Sequence, residues 1–347
     1  MTDVRAAVVT RRTYNRPLND EGTVFETWEQ TVGRVINHQQ WLWERAKTEK
    51  LNQGELGELE ELRILMLERR ATTSGRTLWL GGTDVAKKHE ASQFNCSFGR
   101  IETVHDVVDA FWLLLQGCGV GFEPVVGTLN GFAKETEIEM WRSDREGKGR
   151  EDNISQLRTI GDDGYRVYKL TIGDSAKAWA KSLGKLMALK DPVDKIILDF
   201  SEIRPAGTRL KGYGWISSGD DTLHIALGKI CDMMNKRAGQ LLTRMDILDL
   251  LNHMGTTLSS RRSAEIAVMP VDDPEADEFI TAKKDFWLHD NAHRQQSNNS
   301  LMFYKKPTKW ELSYIFDRMV EAGGSEPAFI NAEAALKRAP HFKGVNP

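Results

Sequence analysis

The stretch Gln93-Phe-Asn-Cys96-Ser-Phe98, an apolar segment behind it, and then Gln116-Gly-Cys-Gly-Val-Gly-Phe122 decide how this chain is read. Between its two ends Val104, Val107, Val108, Phe111 and Leu115 recur at helical spacing. Thr103 and Asp106 stand where a capping box places its two members, with Asp in place of Glu. Gly117, Gly119 and Gly121 follow the helix. A dinucleotide fingerprint needs its glycines after a strand and before a helix, so this is not one. These glycines either terminate the helix or let the backbone approach a ligand closely. Cys96, just ahead of the helix, reads as a packing residue or as a redox group.

Working outward, the chain has 347 residues, 40% hydrophobic and 28% charged, which fits two or three domains or one large α/β unit. A net charge of −3 gives no reason to expect a nucleic-acid polymer or an acidic membrane as partner. No apolar run approaches a bilayer span, and residues 1–16 carry four arginines but no apolar segment of a secretory signal. Three cysteines, Cys96, Cys118 and Cys231, are too few and too spread for a disulfide framework or a zinc site, which points to a reducing cytoplasm. Cys231 falls on an apolar helix face and reads as core.

Residues 1–74 read as a small helical domain: Phe25, Trp28, Val32, Val35 and Leu42 form one helical pattern, and Leu56, Leu59, Leu62 and Met66 a second. Residues 124–175 are polar and weakly periodic and read as an insertion or a mobile flap. Lys195-Ile-Ile-Leu-Asp-Phe200 reads as a buried strand after a helix, a succession that suggests a barrel or a layered α/β unit. Residues 204–219 make a long loop rich in glycine and cations. Thr243 with Asp246 and Thr308 with Glu311 open further helices. His289 and His293 have the spacing of two metal ligands, but no third ligand stands near them, so no metal is expected. A polar set remains: Asn95, Cys96, Ser97, Asn298, Asn299, Ser300, Glu326 and Asn346, amides and hydroxyls suited to a polyhydroxylated or phosphorylated small ligand.

The order of these motifs resembles the adenosylcobalamin-dependent (class II) ribonucleotide reductases, in particular the ribonucleoside-triphosphate reductase branch. The matching stretches are Gly75-Arg-Thr-Leu-Trp79 with Gly82-Thr-Asp84 and Ala86-Lys-Lys88, Asn95-Cys96, Gly117 to Phe122, Ile197 to Pro205, Gly212-Tyr-Gly214 with Ser218-Gly219, Arg261-Arg-Ser-Ala-Glu265, Ser297-Asn-Asn-Ser300, Glu326-Pro327 with Ile330-Asn331, and Asn346-Pro347. They run in family order from about residue 75 to the last. The resemblance implies an α/β fold: the first half of a ten-stranded α/β barrel, of the ribonucleotide reductase and glycyl-radical-enzyme type, over residues 75–347 and preceded by the helical domain. It implies adenosylcobalamin, its site mostly outside this chain, and a cysteine thiyl radical that takes the ribose 3′ hydrogen. The 2′ hydroxyl leaves as water, and a cysteine pair supplies two electrons.

By the same resemblance Cys96 is one half of the reducing pair and Asn346 holds a ribose hydroxyl. Asn95, Ser97, Gly117, Gly119, Gly121, Ser297, Asn298, Asn299, Ser300, Glu326 and Pro327 line the substrate end. Arg204, Lys211, Gly212, Gly214, Ser218 and Gly219 relay the identity of a deoxynucleotide effector, and 124–175 matches the effector-binding insertion in position. Cys118 stands where the family has a small residue and receives no catalytic duty. Family members continue after Asn-Pro with the radical cysteine, so the expectation is a split or interrupted reductase. Its partners would be a C-terminal half, a ribonucleoside triphosphate and a thioredoxin-type reductant. A non-catalytic nucleotide- or effector-binding subunit, or an inactive fragment, is the alternative.

Overall fold

The computed structural model describes residues 4–142, 149–210, 212–213, 215–258, 265–288, 290–341 and 344. Its contacts divide the chain into two units, Met1–Asn95 with Arg209–Ile216, and Cys96–Thr208 with Ser217–Pro347. Among the described residues no helix is long and apolar enough to cross a membrane.

Eleven strands are seen among the described residues: β1 Cys96–Ile101, β2 Gly119–Pro124, β3 Glu137–Trp141, β4 Ile154–Ile160, β5 Tyr165–Thr171, β6 Lys195–Asp199, β7 Arg209–Leu210, β8 Trp215–Ile216, β9 Glu265–Pro270, β10 Ser297–Phe303 and β11 Ala328–Asn331.

The first unit is helical. Helix Trp28–Lys47 is opened by a capping box between Thr27 and Gln30, and helix Gln53–Leu67 by one between Asn52 and Glu55. Val32, Val35, Ile36, Leu59 and Met66 make its core, and the indole of Trp28 donates to the Met66 carbonyl at 3.0 Å. Phe25, expected inside the first helix, lies outside it: Thr27 caps the helix behind Phe25, which pairs instead with Pro17 in an antiparallel bridge. The short antiparallel pair β7–β8 also belongs to this unit.

The second unit holds two sheets. The first is wholly parallel, in the order β1-β2-β9-β10-β11, so β1 and β11 are its edges. Helix Val104–Leu115 crosses from β1 to β2, with both hydrogen bonds of the Thr103–Asp106 box formed. Gly117, at φ +79°, reverses the chain after it, a conformation that favours glycine. Gly119 and Gly121 do not continue that turn; they lie in β2, where ladder bonds to β1 outweigh the low strand propensity of glycine. Phe111 and Leu114 of the helix are buried in one core with Val120, Phe122, Leu301 and the apolar faces of helices Ala176–Met187, Asp221–Lys236 and Arg244–Gly255. Each such large side chain contributes about 1.5–3 kcal/mol by leaving water. Cys231 is part of this core, and burial pushes its thiol up to about 12.

The second sheet has the order β3-β6-β5-β4 and is parallel except for β4, which runs antiparallel to β5. Three of its strands lie in the segment read as an insertion or a mobile flap. The charges that suggested a loop face each other across strands: Lys195 binds Glu137 at 2.9 Å and Glu139 at 2.5 Å, and Lys169 binds Asp199 at 2.8 Å. A half-solvated sheet face carries polar residues without ceasing to be a strand.

Candidate active site

Successive side chains of a strand point to opposite faces. In the parallel sheet Ile101, Val120, Phe122, Ala267, Met269 and Leu301 enter the main core beneath the helices. Phe98, Ile266, Val268, Met302 and Ile330 gather separately around Ala332. The sheet therefore has a helix-covered face and a second face. Alternation from Phe98 puts Cys96 on the second face, at the start of β1, and its thiol is exposed. Cys96 stands opposite Gly119, and Phe98 opposite Gly121, so no side chain from β2 rises beside either. The row continues from Gly121 to Ile266 and from Ile266 to Asn298, whose side chain is exposed. Ser300, buried, follows two residues on, beside Val268 and Ala328. Cys96, the two glycines, Asn298 and Ser300 thus share one face.

Other residues expected at the site are not brought there. Alternation sends Ser97, Ser297 and Asn299 to the helix-covered side. Ser97 Oγ donates to the Gly119 carbonyl at 3.4 Å, and the Cys118 thiol lies 3.5 Å from the same Oγ. Ser297 Oγ donates to Asn299 Oδ1 at 2.9 Å, with both residues buried. Glu326 accepts from Lys283 at 2.5 Å and from the Asn299 N–H at 3.1 Å, so it clips the start of β10 to the loop before β11; Pro327 follows it through a cis peptide bond. Gly117 is spent on the turn. Asn95 belongs to the first unit and accepts from Arg76 at 3.1 Å. Of the expected relay residues, Arg204 binds the Asp174 carboxylate at 2.8 Å, and Gly219, at φ +67°, donates its N–H to Ser217 Oγ at 3.0 Å. Ser218 lies beside Gly219 in the second unit, and Gly212 is in the first. Asn346, Lys211, Gly214 and His289 lie outside the described residues.

The ribonucleotide reductase alpha domain model matches residues 2–83. The adenosylcobalamin-dependent ribonucleoside-triphosphate reductase of Lactobacillus gasseri is 30% identical over 371 residues, covering 94% of this chain and 48% of that protein. Its counterpart from Lactobacillus acidophilus is 27% identical over 383 residues, covering 98% of this chain and 50% of that protein. A crystal structure of a B12-dependent (class II) ribonucleotide reductase superposes with a TM-score of 0.69 at 26% identity, over 86% of this chain and 45% of that one. Over most of its length the chain is similar to class II ribonucleotide reductases. It spans about half the length of the curated relatives it matches.

The Cys96 face carries one feature that sequence reasoning missed. Arg100 and Glu123 lie on that face, two steps along from Cys96 and Gly119, with 3.4 Å between Nε and Oε2. Burial raises the Glu123 carboxyl, against the pull of Arg100 and Arg244. Counting every second residue from Cys96 would have found Arg100; Glu123 needed the register. A groove of about 270 Å³ lined by Phe303, Trp310 and Tyr314 lies on the helix-covered side and contains none of these groups. On the Cys96 face Val268, Ser300 and Met302 are buried, Ala332 packs with them, and Gly344 lies against the Phe98 ring.

Proposed function

We propose that this chain supplies the N-terminal half of an adenosylcobalamin-dependent ribonucleoside-triphosphate reductase, with Cys96 as one member of the thiol pair that reduces the ribose. The observation that carries the proposal is the exposed Cys96 thiol on the same sheet face as the Asn298 amide, opposite a glycine that adds no side chain beside it. Adenosylcobalamin, when bound, supplies a radical through homolysis of its cobalt–carbon bond, and no residue of this chain is assigned to holding it. The Asn298 amide offers both a donor and an acceptor to a sugar or phosphate. Cys96 and a second thiol become a disulfide as the 2′ hydroxyl leaves as water, so two electrons pass from sulfur to the sugar. A thioredoxin-type dithiol returns the pair to thiols. Arg204, Ser218 and Gly219, with the 209–216 hairpin, relay the deoxynucleotide effector.

A complementary half is part of the proposal. Edge strand β11 shows three of its four residues to solvent, Phe329 among them at 40% exposure. Beside it helix Lys309–Ala322 exposes Trp310, Phe316 and Val320. An unpaired parallel edge next to bare apolar side chains is a surface that further polypeptide covers.

The chain, combined with a complementing C-terminal half, adenosylcobalamin, a ribonucleoside triphosphate and a dithiol, is expected to yield deoxynucleotide. Cys96→Ser should abolish multiple turnover. Chromatography of the products decides: no deoxynucleotide from the wild-type mixture sinks the proposal, and unimpaired turnover by Cys96→Ser removes the role of that thiol.

A further inference from the structure

Arg16 is a buried arginine whose guanidinium is used on backbone carbonyls. Its Nη1 donates to the Tyr213 carbonyl at 3.0 Å and its Nη2 to the Gly212 carbonyl at 2.5 Å. Both carbonyls lie between β7 and β8, at the tip of the hairpin. The arginine is fixed from behind. Its own N–H donates to Glu26 Oε2 at 3.0 Å, and its carbonyl accepts from the Glu26 N–H at 2.8 Å. Glu26, buried in turn, is gripped by Arg34 through Nε at 2.8 Å and Nη2 at 2.9 Å, and by Thr31 Oγ1 at 2.9 Å. Arg34 reaches on to the Leu78 carbonyl at 3.0 Å. A charged chain therefore runs from the helices of the first unit to the hairpin tip.

Two further contacts hold the same hairpin. A Cβ on Gly212 would stand 2.6 Å from Val85 Cγ2, so the tip backbone lies directly on helix Asp84–Lys88. The guanidinium of Arg209 lies over Gly22, where a Cβ would meet it at 2.3 Å. Arg16, Val85 and Gly22 approach from three different places in the sequence.

We propose that Arg16, backed by Glu26 and Arg34, is a positioning residue for the 209–216 hairpin, so that the N-terminal unit sets the conformation from which effector identity is relayed. The proposal rests on reading 204–219 as the relay. Hydrogen bonds to a charged donor are the stronger kind, and a planar fork can hold two carbonyls at once where an ammonium cannot hold the same geometry. Losing both contacts frees the hairpin while the helices keep their own core.

Hydrogen exchange read by mass spectrometry tests this on the full chain. In Arg16→Gln the amides of 209–216 should exchange about tenfold to a hundredfold faster, with helix Trp28–Lys47 protected as before. In Arg16→Lys, which keeps the charge and loses the fork, the change should be smaller and of the same sign; this variant decides if Arg16→Gln loses the helix protection too. Unchanged hairpin exchange in a folded variant overturns the proposal. The functional half is read in the complemented enzyme, as the choice among the four ribonucleoside triphosphates with each deoxynucleoside triphosphate added. Arg16→Gln should flatten that choice while the rate without effector stays. A loosened hairpin with an unaltered choice overturns the link to specificity. A wild-type enzyme indifferent to every deoxynucleotide overturns instead the reading of 204–219 as the relay, and with it the purpose given to the clamp.

Discussion

Glu265 begins β9 fully buried, and among the described residues neither of its carboxylate oxygens has a hydrogen-bond partner. Helix Arg244–Gly255 ends against it: a Cβ on Gly255 would stand 2.6 Å from Oε1. Burial holds this carboxyl well above its ordinary value and favours its neutral form. The sign follows directly. A raised folded pKa gives a contribution that is complete below the unfolded value of about 4.3 and is lost as pH rises through the folded one. Glu265→Met, unbranched and of similar length, should therefore stabilise the protein at pH 8 by about 1–3 kcal/mol, the cost of an unsatisfied buried polar group. The gain should shrink toward pH 4. Urea unfolding at the two pH values measures it, and an equal gain at both would show that ionisation is not the cause. The sequence placed Glu265 in a family motif but gave no hint of its isolation, because a missing partner is a property of the surroundings.

Between helix Arg244–Gly255 and the segment Ala292–Gln296 that leads into β10, Asp249 acts as a latch. It binds Arg294 through Nε at 2.6 Å and Nη2 at 2.8 Å, and His293 Nε2 at 2.8 Å. Burial alone would raise this carboxyl; hydrogen bonds from Arg294 and His293 bring it to about 2. His253 stacks on His293 with 3.9 Å between ring centres, and burial, reinforced by His293, lowers it to about 3. The latch fixes where β10 begins, and so where Asn298 and Ser300 sit. Asp249→Asn should cost about 1.5–3 kcal/mol at pH 7, the range for hydrogen bonds to a charged group, since Asp249 is half-buried. The depressed pKa adds a direction: the wild-type advantage is present above about pH 4 and fades as pH falls toward 2. Thermal unfolding from pH 3 to 7 follows both. At this scale the capping boxes at Thr103, Thr243 and Thr308 were legible, because a cap is a contact between residues three apart. The latch joins residues about 45 positions apart and was not.

The whole second unit presents an apolar flank, with Trp310 75% and Val320 79% exposed on the helix beside β11. The chain alone should self-associate in proportion to its concentration, and Val320→Lys should reduce that while changing stability by less than about 0.5 kcal/mol. Sedimentation velocity over a range of concentrations measures it; a monomer throughout would argue against an interface there. From the sequence alone came the α/β class, the helices with their caps, the family resemblance, and Cys96 as the residue to watch, since local periodicity and motif order are written along the chain. Only the tertiary structure decided which residues share a face with Cys96. It moved Ser97, Ser297 and Asn299 to the far side of the sheet, brought Arg100 and Glu123 to the near one, and put three strands in the segment read as an insertion or a mobile flap. The reason is physical: a strand alternates its faces with a period of two, so a polar run is divided between two environments according to register. Register is set by the neighbouring strands, which lie tens to hundreds of residues away.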